Sequence, residues 1–422
     1  MAVRWDSTHR FVLPGEPVSQ YRSLFGLTGL TYVVVAFLGR IPLAMSQLGV
    51  MLLVADDTGS YGAGGACTGA LAVANAVAAP WWGNRADRFG QRPVVLIQSL
   101  AAATGLLVVL ALVPTDLAWG WVAVAATVAG FFLPQVGPLA RVRWRPVAER
   151  AGAPSRLVDA AFSYEGAADE AAFVLGPALV GVLALLGPSV ALFVAAAMLA
   201  VFGTWFALHE TARITFQAPG EEGTSTARLL TPALQVLCLA QLAIGSVFGS
   251  VQNGTSVLAT AAGQPGLTGL FHALLGIGSV VAGLSLTVLP ARWSLPARLR
   301  WFALAFVLLA LPLLLVDSLA QLAPVLLVLG LSVAPYMITT FTLGERVTAP
   351  SRTGAAMTLL AGATGLGYAI GAAVAGRLAD HGGHTPAFAV TIGAGALMLL
   401  TAWVGGPVLQ RGQRPRTLVD AD

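Results

Sequence analysis

The chain has 422 residues, of which 57% are hydrophobic and only 10% are charged, with a formal charge of +4. A soluble domain carries about 25% charged residues, so this composition excludes an ordinary soluble protein and calls for a bilayer. The basic residues fall almost entirely in the short turns between apolar runs, a placement that argues for membrane topology and against nucleic acid as a partner.

The first stretch is polar, with Arg4, Arg10 and Arg22, and lacks the apolar core and cleavage site of a signal peptide. Twelve apolar segments of about 20 residues follow, the length that crosses a hydrocarbon core of roughly 30 Å. They are predicted over 25–54, 60–84, 93–113, 117–140, 157–186, 189–208, 232–260, 265–290, 300–316, 319–343, 353–379 and 385–406. A backbone inside lipid must close its own hydrogen bonds, so these segments are helices. Cys67 and Cys238 both fall within apolar runs, and neither a disulfide nor a metal site is expected.

Alternate turns read "NRADRFGQR", "RVRWRPVAERAGAPSR", "ARWSLPARLR" and "GERVTAPSR", whereas the turns between them read "ADDTGS", "PTD", "GPS", "AGQPG", "VDS" and "DHGGH". All 23 basic residues are arginine, and 21 of them fall on one side, leaving Arg40 and Arg377. The positive-inside rule makes that side cytoplasmic, with both termini on it, as an even number of spans requires. The expected location is the cell (inner or plasma) membrane, with membrane lipids as surroundings and the chain as a monomer.

The polar stretch 209–231 divides the spans six and six. The expected fold is an all-α membrane protein of twelve transmembrane helices in two six-helix bundles related by pseudo-two-fold symmetry. Its parts are a first bundle over 1–208, a central cytoplasmic loop over 209–231, a second bundle over 232–408 and a tail over 409–422. An internal echo supports the repeat: "GPALVGVLA" at 176–184 resembles "GAAVAGRLA" at 371–379, and an offset of 195 aligns Gly176 with Gly371 and Gly181 with Gly376. Two such halves with a site between them form a transporter architecture.

The turn "GNRADRFGQRP" at 83–93 lies between segments 2 and 3. It resembles the signature turn of the major facilitator superfamily, G-x-x-x-D-R-x-G-x-R, through Gly83, Asp87, Arg88, Gly90 and Arg92, with Arg85 where the family commonly has Leu. The resemblance implies a gate in which Asp87 meets the start of helix 11, here near Ser351–Thr353. Physics suits that role: glycine permits close approach and a tight turn, and a helix N-terminus favours an anion. The family's exporters also show a helix 5 pattern ending G-P-x-x-G-G. Gly176, Pro177 and Gly181 match it, but Val180 replaces one glycine, and Ser163 and Ala172 stand where upstream glycines are expected.

Segment 5 carries Glu165, Asp169 and Glu170, and segment 1 carries Arg40 two residues before Pro42. A rise of 1.5 Å per residue places Asp169 and Glu170 roughly 18–20 Å deep. Each charge at a helix centre costs at least about 2.5–3.5 kcal/mol, so such groups need partners or water. The economical arrangement pairs Arg40 with one carboxylate and leaves others able to take up a proton, which makes these four residues the proton-coupling candidates. A static ion pair fixing helices 1 and 5 is the plainer alternative. Pro42 is expected to bend its helix. Segment 4 shows no arginine before Arg141, whereas many family members carry one within helix 4.

Under the offset of 195, Asp169 aligns with Thr364 and Glu170 with Gly365, so the second half is neutral where the first is charged. Gln135, Gln252, Asn253, Tyr336 and Tyr368 are the candidates to line a substrate cavity, each competing with a plain role in helix–helix hydrogen bonding. No H-E-x-x-H or G-x-S-x-G occurs, so an enzyme is not expected, and neither is a cofactor. Three readings remain: a proton-coupled exporter of a small molecule, an uptake symporter for a sugar or organic anion with Arg40 as counter-charge, and a lipid mover built on the same fold. Protons and a small-molecule substrate are the expected partners.

Overall fold

The computed structural model describes residues 17–59, 61–115, 117–214, 229–264, 267–288 and 293–413. Arg4 and Arg10, residues 215–228 of the expected central loop and residues 414–422 of the expected tail lie outside the described residues. Among the described residues all regular structure is helical, and twelve helices are long and apolar enough to cross a bilayer. They are α1 (Gln20–Thr58), α2 (Ala63–Phe89), α3 (Gln91–Leu112), α4 (Trp119–Arg150), α5 (Arg156–Ala184), α6 (Pro188–Leu208), α7 (Pro232–Ala261), α8 (Thr268–Ser285), α9 (Leu295–Leu315), α10 (Leu319–Val347), α11 (Pro350–Ala379) and α12 (His384–Val404).

Helices α1–α6 and α7–α12 form the two six-helix bundles. Fully buried Leu71, Leu106, Ala126 and Leu192 belong to the core of the first, and Leu237, Phe306, Leu326 and Phe388 to that of the second. Large side chains such as Val77, Trp121, Leu185 and Trp403 point outward and are more than half exposed in the protein alone, as lipid-facing residues must be.

Two helices depart from the sequence expectation. In α1 the interruption falls at Gly29, whose φ of 78° and ψ of 152° are non-helical, while Pro42 sits inside helical backbone. In α4 the helix does not end near residue 140 but runs to Arg150, and Arg141, Arg143 and Trp144 are buried rather than part of a solvated turn. The reason is the spacing of Val136, Leu139, Ala140, Trp144, Val147 and Ala148. Together they give this charged stretch one apolar, inward-facing side.

The α4 helix is itself broken at Leu133–Gln135, between Trp119–Phe132 and Val136–Arg150. The residue before a proline avoids the helical region, and Leu133, which precedes Pro134, has ψ 119°. A break this deep frees carbonyls that lipid cannot satisfy, and α2 supplies the donors. Asn75 Nδ2 donates to the carbonyls of Gly130 (3.2 Å) and Leu133 (2.8 Å), and Trp82 Nε1 donates to that of Phe131 (2.8 Å). Gln135 Nε2 in turn donates to Asn75 Oδ1 at 2.6 Å. Gly130 makes the approach possible, because a Cβ there would collide with the Leu71 carbonyl.

An unpaired buried carbonyl costs about 1–3 kcal/mol. Replacing Asn75 by leucine is therefore expected to lower the thermal unfolding midpoint of the detergent-purified protein by several degrees. An unchanged midpoint would mean that water, not Asn75, serves these carbonyls.

Candidate functional site

Four ionisable side chains and an indole meet between α1, α4 and α5. Arg40 projects from α1 and is 5% exposed. Its Nη2 pairs with Glu165 Oε2 at 2.5 Å and its Nη1 with Asp169 Oδ1 at 2.9 Å. Its remaining bonds go to backbone, from Nε to Ala36 O (3.1 Å) and from Nη1 to Glu165 O (3.2 Å). Arg141 of α4 pairs through Nη1 with Asp169 Oδ2 at 2.7 Å. Trp144, one turn further along α4, donates from Nε1 to Glu165 Oε1 at 2.7 Å. Gly137 makes room for the cluster, because a Cβ there would overlap Asp169 Oδ1.

Two guanidiniums thus face two carboxylates and the cluster is neutral as a whole. Bringing such ions out of water costs several kcal/mol each and is offset only when each charge is paired and its remaining hydrogen-bonding groups are occupied. Here every oxygen of Glu165 and Asp169 has a donor. Glu165 is fully buried, whereas the Asp169 side chain is 16% exposed and forms the open edge of the cluster.

Glu170 is not part of this arrangement. Its direction from the helix differs from that of Asp169 by about 100°, and among the described residues it forms no ion pair. It is 6% exposed and looks out of the first half toward α8 of the second, where Ser279 lies beside it. The α5–α8 seam is close on either side of it: a Cβ at Gly276 would strike Val174, and one at Gly283 would stand 3.7 Å from Ala167 Cβ.

The structure therefore brings Arg40, Glu165 and Asp169 together, sets Glu170 apart, and adds Arg141 and Trp144, which the sequence reading left in a turn. Helical periodicity through "VGPLARVRWRPVAER" was the signal for both, masked by the density of charge. Arg40 takes two carboxylates rather than one.

In the second half the corresponding helices, α7 and α11, are joined by neutral bonds. Thr364, the counterpart of Asp169, donates to Gln241 Oε1 at 3.1 Å, and Tyr368 donates to Gln252 Oε1 at 2.6 Å. Asn253 bonds its own helix at Gly249 O (3.2 Å), and Gln135 serves the α4 break. Tyr336 does not line a cavity: it is fully buried in the apolar core of the second half, on the inward face of α10.

The signature turn lies where the halves meet, at the arginine-rich end. Asp87 accepts from the backbone N–H of Gly354 and of Ala355, both at 2.8 Å, in the first turn of the α11 helix. A Cβ at Gly83 would collide with Thr358 of α11, and Gly90 turns the chain with φ 84°. Arg88 is exposed and Arg92 half-buried, and among the described residues neither forms an ion pair. Around them Arg352 Nη1 donates to Asn84 Oδ1 at 2.5 Å, Arg346 pairs with Asp159 at 2.8 Å, and Arg145 forms a two-pronged pair with Glu345. All these bonds cross between the halves and hold this end shut.

Their weights differ. The Arg145–Glu345 pair is open to water on one side, at 43% and 9% exposure, and solvent weakens it, whereas a hydrogen bond from a fixed backbone donor to a charged group contributes about 1.5–3 kcal/mol. Asp87, with two such bonds, dominates.

A helical membrane protein of two six-helix bundles, with buried charge in one half and a charged latch between them, belongs to the class of secondary transporters. More narrowly, the chain belongs to the Major Facilitator Superfamily, whose sequence profile matches residues 24–346. No curated protein sequence matches it. Among solved structures the fold is similar to a human organic anion transporter, MFSD10 (TETRAN), at TM-score 0.67 and 18% identity over 88% of this chain and 98% of that one. It is also similar to a bacterial homologue of the iron transporter ferroportin in an outward-facing state, at TM-score 0.69 and 15% identity over 90% and 98% of the two chains. A third is the fucose:proton symporter FucP of E. coli, at TM-score 0.60 and 14% identity over 89% and 98%. These likenesses speak for the fold and for secondary transport, not for a cargo.

Asp87→Ala is expected to loosen the α2–α11 contact. A cysteine at Thr358, which is 1% exposed, should then react with a maleimide reagent at least several-fold faster than in the Asp87 background, and Arg145→Gln should change that rate less. Equal rates with and without Asp87 would remove it from the closure.

Proposed function

We propose that the protein is a proton-coupled exporter that works by alternating access, with its arginine-rich end in the cytoplasm of the cell that carries it in its plasma membrane. The placement of Glu170 carries the reading: a carboxyl buried in the seam between the halves, with Ser279 beside it and, among the described residues, no ion pair of its own. An ionised carboxylate in such a place is costly. A proton therefore accompanies Glu170 while the seam is shut and leaves it when the seam opens to water. Asp169, at the open edge of the cluster and next to Glu170 in the chain, links that acid to Arg40 and Arg141. Arg40 and Glu165 hold the cluster together.

The asymmetry of the halves supports this assignment. The charged wall, α1–α5, handles the proton, and the hydrogen-bonding wall, α7–α11 with Gln252, Asn253 and Tyr368, handles a small-molecule cargo. The latch around Asp87 acts as the cytoplasmic gate, so the closed end described above corresponds to an outward-facing state. Export is favoured over uptake by Gly176, Pro177 and Gly181 of α5; a Cβ at Gly176 would stand 2.7 Å from Ala44 of α1, so this pattern packs the two helices of the charged wall. The alternative of an anionic cargo held by Arg40 loses support, because that guanidinium already serves Ala36, Glu165 and Asp169.

The test is transport in proteoliposomes under an imposed pH gradient, with ethidium, tetraphenylphosphonium and labelled sugars as cargoes. Glu170→Gln is expected to abolish the response to the gradient while exchange of cargo down its own gradient persists. Asp169→Asn should weaken the response. Glu165→Gln should lower the yield of folded protein, because it strips Arg40 of its closest partner. Full coupling in Glu170→Gln would end the assignment. Cargo moving in the direction of the protons would reverse the proposed direction.

A further inference from the structure

Arg141 touches both the buried charge cluster and the opposite half. Its Nη1 holds Asp169 at 2.7 Å, and the face of its guanidinium lies over the Phe341 ring of α10, 4.2 Å from the centroid. Arg141 is 1% exposed and Phe341 3%. Its other nitrogens, Nε and Nη2, are buried without a partner. One turn along both helices, Arg145 meets Glu345. The α4–α10 contact is thus a ladder with two rungs at the same spacing. The upper rung is anchored in the cluster, and the lower reaches only the surface.

We infer that Arg141, through Phe341, transmits the protonation state of the α5 carboxylates to the arginine-rich end. The inference rests on the proton-coupled reading above. Asp169 is faced by Arg40 from α1, Arg141 from α4, and Glu165 and Glu170 of its own helix. Glu170 is faced by Ser279 from α8, by Asp169 of its own helix and, beyond ion-pair distance, by Arg141 from α4. While Asp169 is charged and Glu170 neutral, one nitrogen of Arg141 is pinned and its plane presents a face to Phe341, an attraction of cation to ring quadrupole. When Glu170 gives up its proton, a second carboxylate competes for Arg141 and the pull of Asp169 on Nη1 no longer fixes it alone. The guanidinium turns to find acceptors for Nε and Nη2, and its face leaves the ring. With the upper rung lost, the lower pair is too exposed to keep α4 and α10 together. Arg141 is in this sense a positioning residue, acting through Phe341.

The experiment is double electron–electron resonance on full-length protein in nanodiscs from pH 5 to 9. Spin labels replace Arg150 and Ser351 on opposite sides of the closed end, and both native cysteines are replaced by alanine. The closed form holds more protons on this reading, so the closed fraction should rise as pH falls. Phe341→Leu, which keeps an apolar side chain of similar bulk, should flatten the pH response at least threefold. Arg141→Lys, which keeps the charge but not the flat face, should do the same. Arg145→Gln should shift the closed fraction at every pH and leave the midpoint in place. If Phe341→Leu and Arg141→Lys behave like Arg145→Gln, the role of Arg141 falls and the proton-coupled reading stands. If the wild-type distances do not depend on pH, the reading falls and this inference with it.

Discussion

The structure turns on a shared carboxylate. Asp169 lies between Arg40 of α1 and Arg141 of α4, one oxygen to each, and so ties three helices of the first half at one point. Removing a partner from a buried ionic cluster leaves a charge stranded in a medium that cannot solvate it, at a cost of about 3–5 kcal/mol. The close pairing of the other acid, Glu165, with Arg40 and Trp144 follows from the same demand. Gly137, by giving up its side chain, allows α4 near enough for Arg141 to reach. The second half answers the same helix pairing with Gln241 and Thr364. Pseudo-symmetry has kept the contact and changed its chemistry.

From that point the contacts lead toward the arginine-rich end, and the halves are joined there by bonds of unequal strength. Two backbone N–H groups at the start of the α11 helix hold Asp87. This is a helix N-terminus binding an anion, favoured by both the free donors and the helix dipole. The ion pairs of Arg145 and Arg346 are peripheral and half-hydrated. A closure built in this way opens without large loss: water can take over the outer pairs first, and the Asp87 contact remains as the last thing to break. Glu170 lies in the α5–α8 contact between the same two halves, and on the proposed reading its surroundings change with that opening, as those of a coupling group must.

Much of this could be read from the residues in order. Apolar lengths with arginine-loaded alternate turns are strong signals because the bilayer constrains backbone and charge at once, and eleven of the twelve helices end within five residues of expectation, α4 being the exception. The meeting of Asp87 with the start of α11 was legible through the turn's resemblance to a family signature, and the nearness of Arg40 to α5 through the cost of leaving it alone. What was not legible depends on partners distant in sequence. Arg141 and Arg143 look like a solvated turn until α5 supplies Asp169 to the one, and Gln91, the Phe206 carbonyl and Thr211 surround the other. The α4 break needs Asn75 and Trp82 of α2 to be tolerable. Tyr336 looked polar enough for a cavity, but a phenol on the inward face of a helix is as well used by a core. Pro42 was the expected bend in α1, yet the backbone turns at Gly29, where no Cβ opposes a positive φ.

The cluster's cations are both guanidiniums, in a chain without a single lysine. An arginine keeps its proton at any pH a cell can reach, so the positive side of the cluster is a constant. Acid–base traffic through this wall is left to carboxyl oxygens, and its sign follows from that: occupancy by a proton can only make the wall more positive, never less. A lysine in place of either arginine would add a second titrating member and blur the two-valued signal that a fixed countercharge keeps sharp.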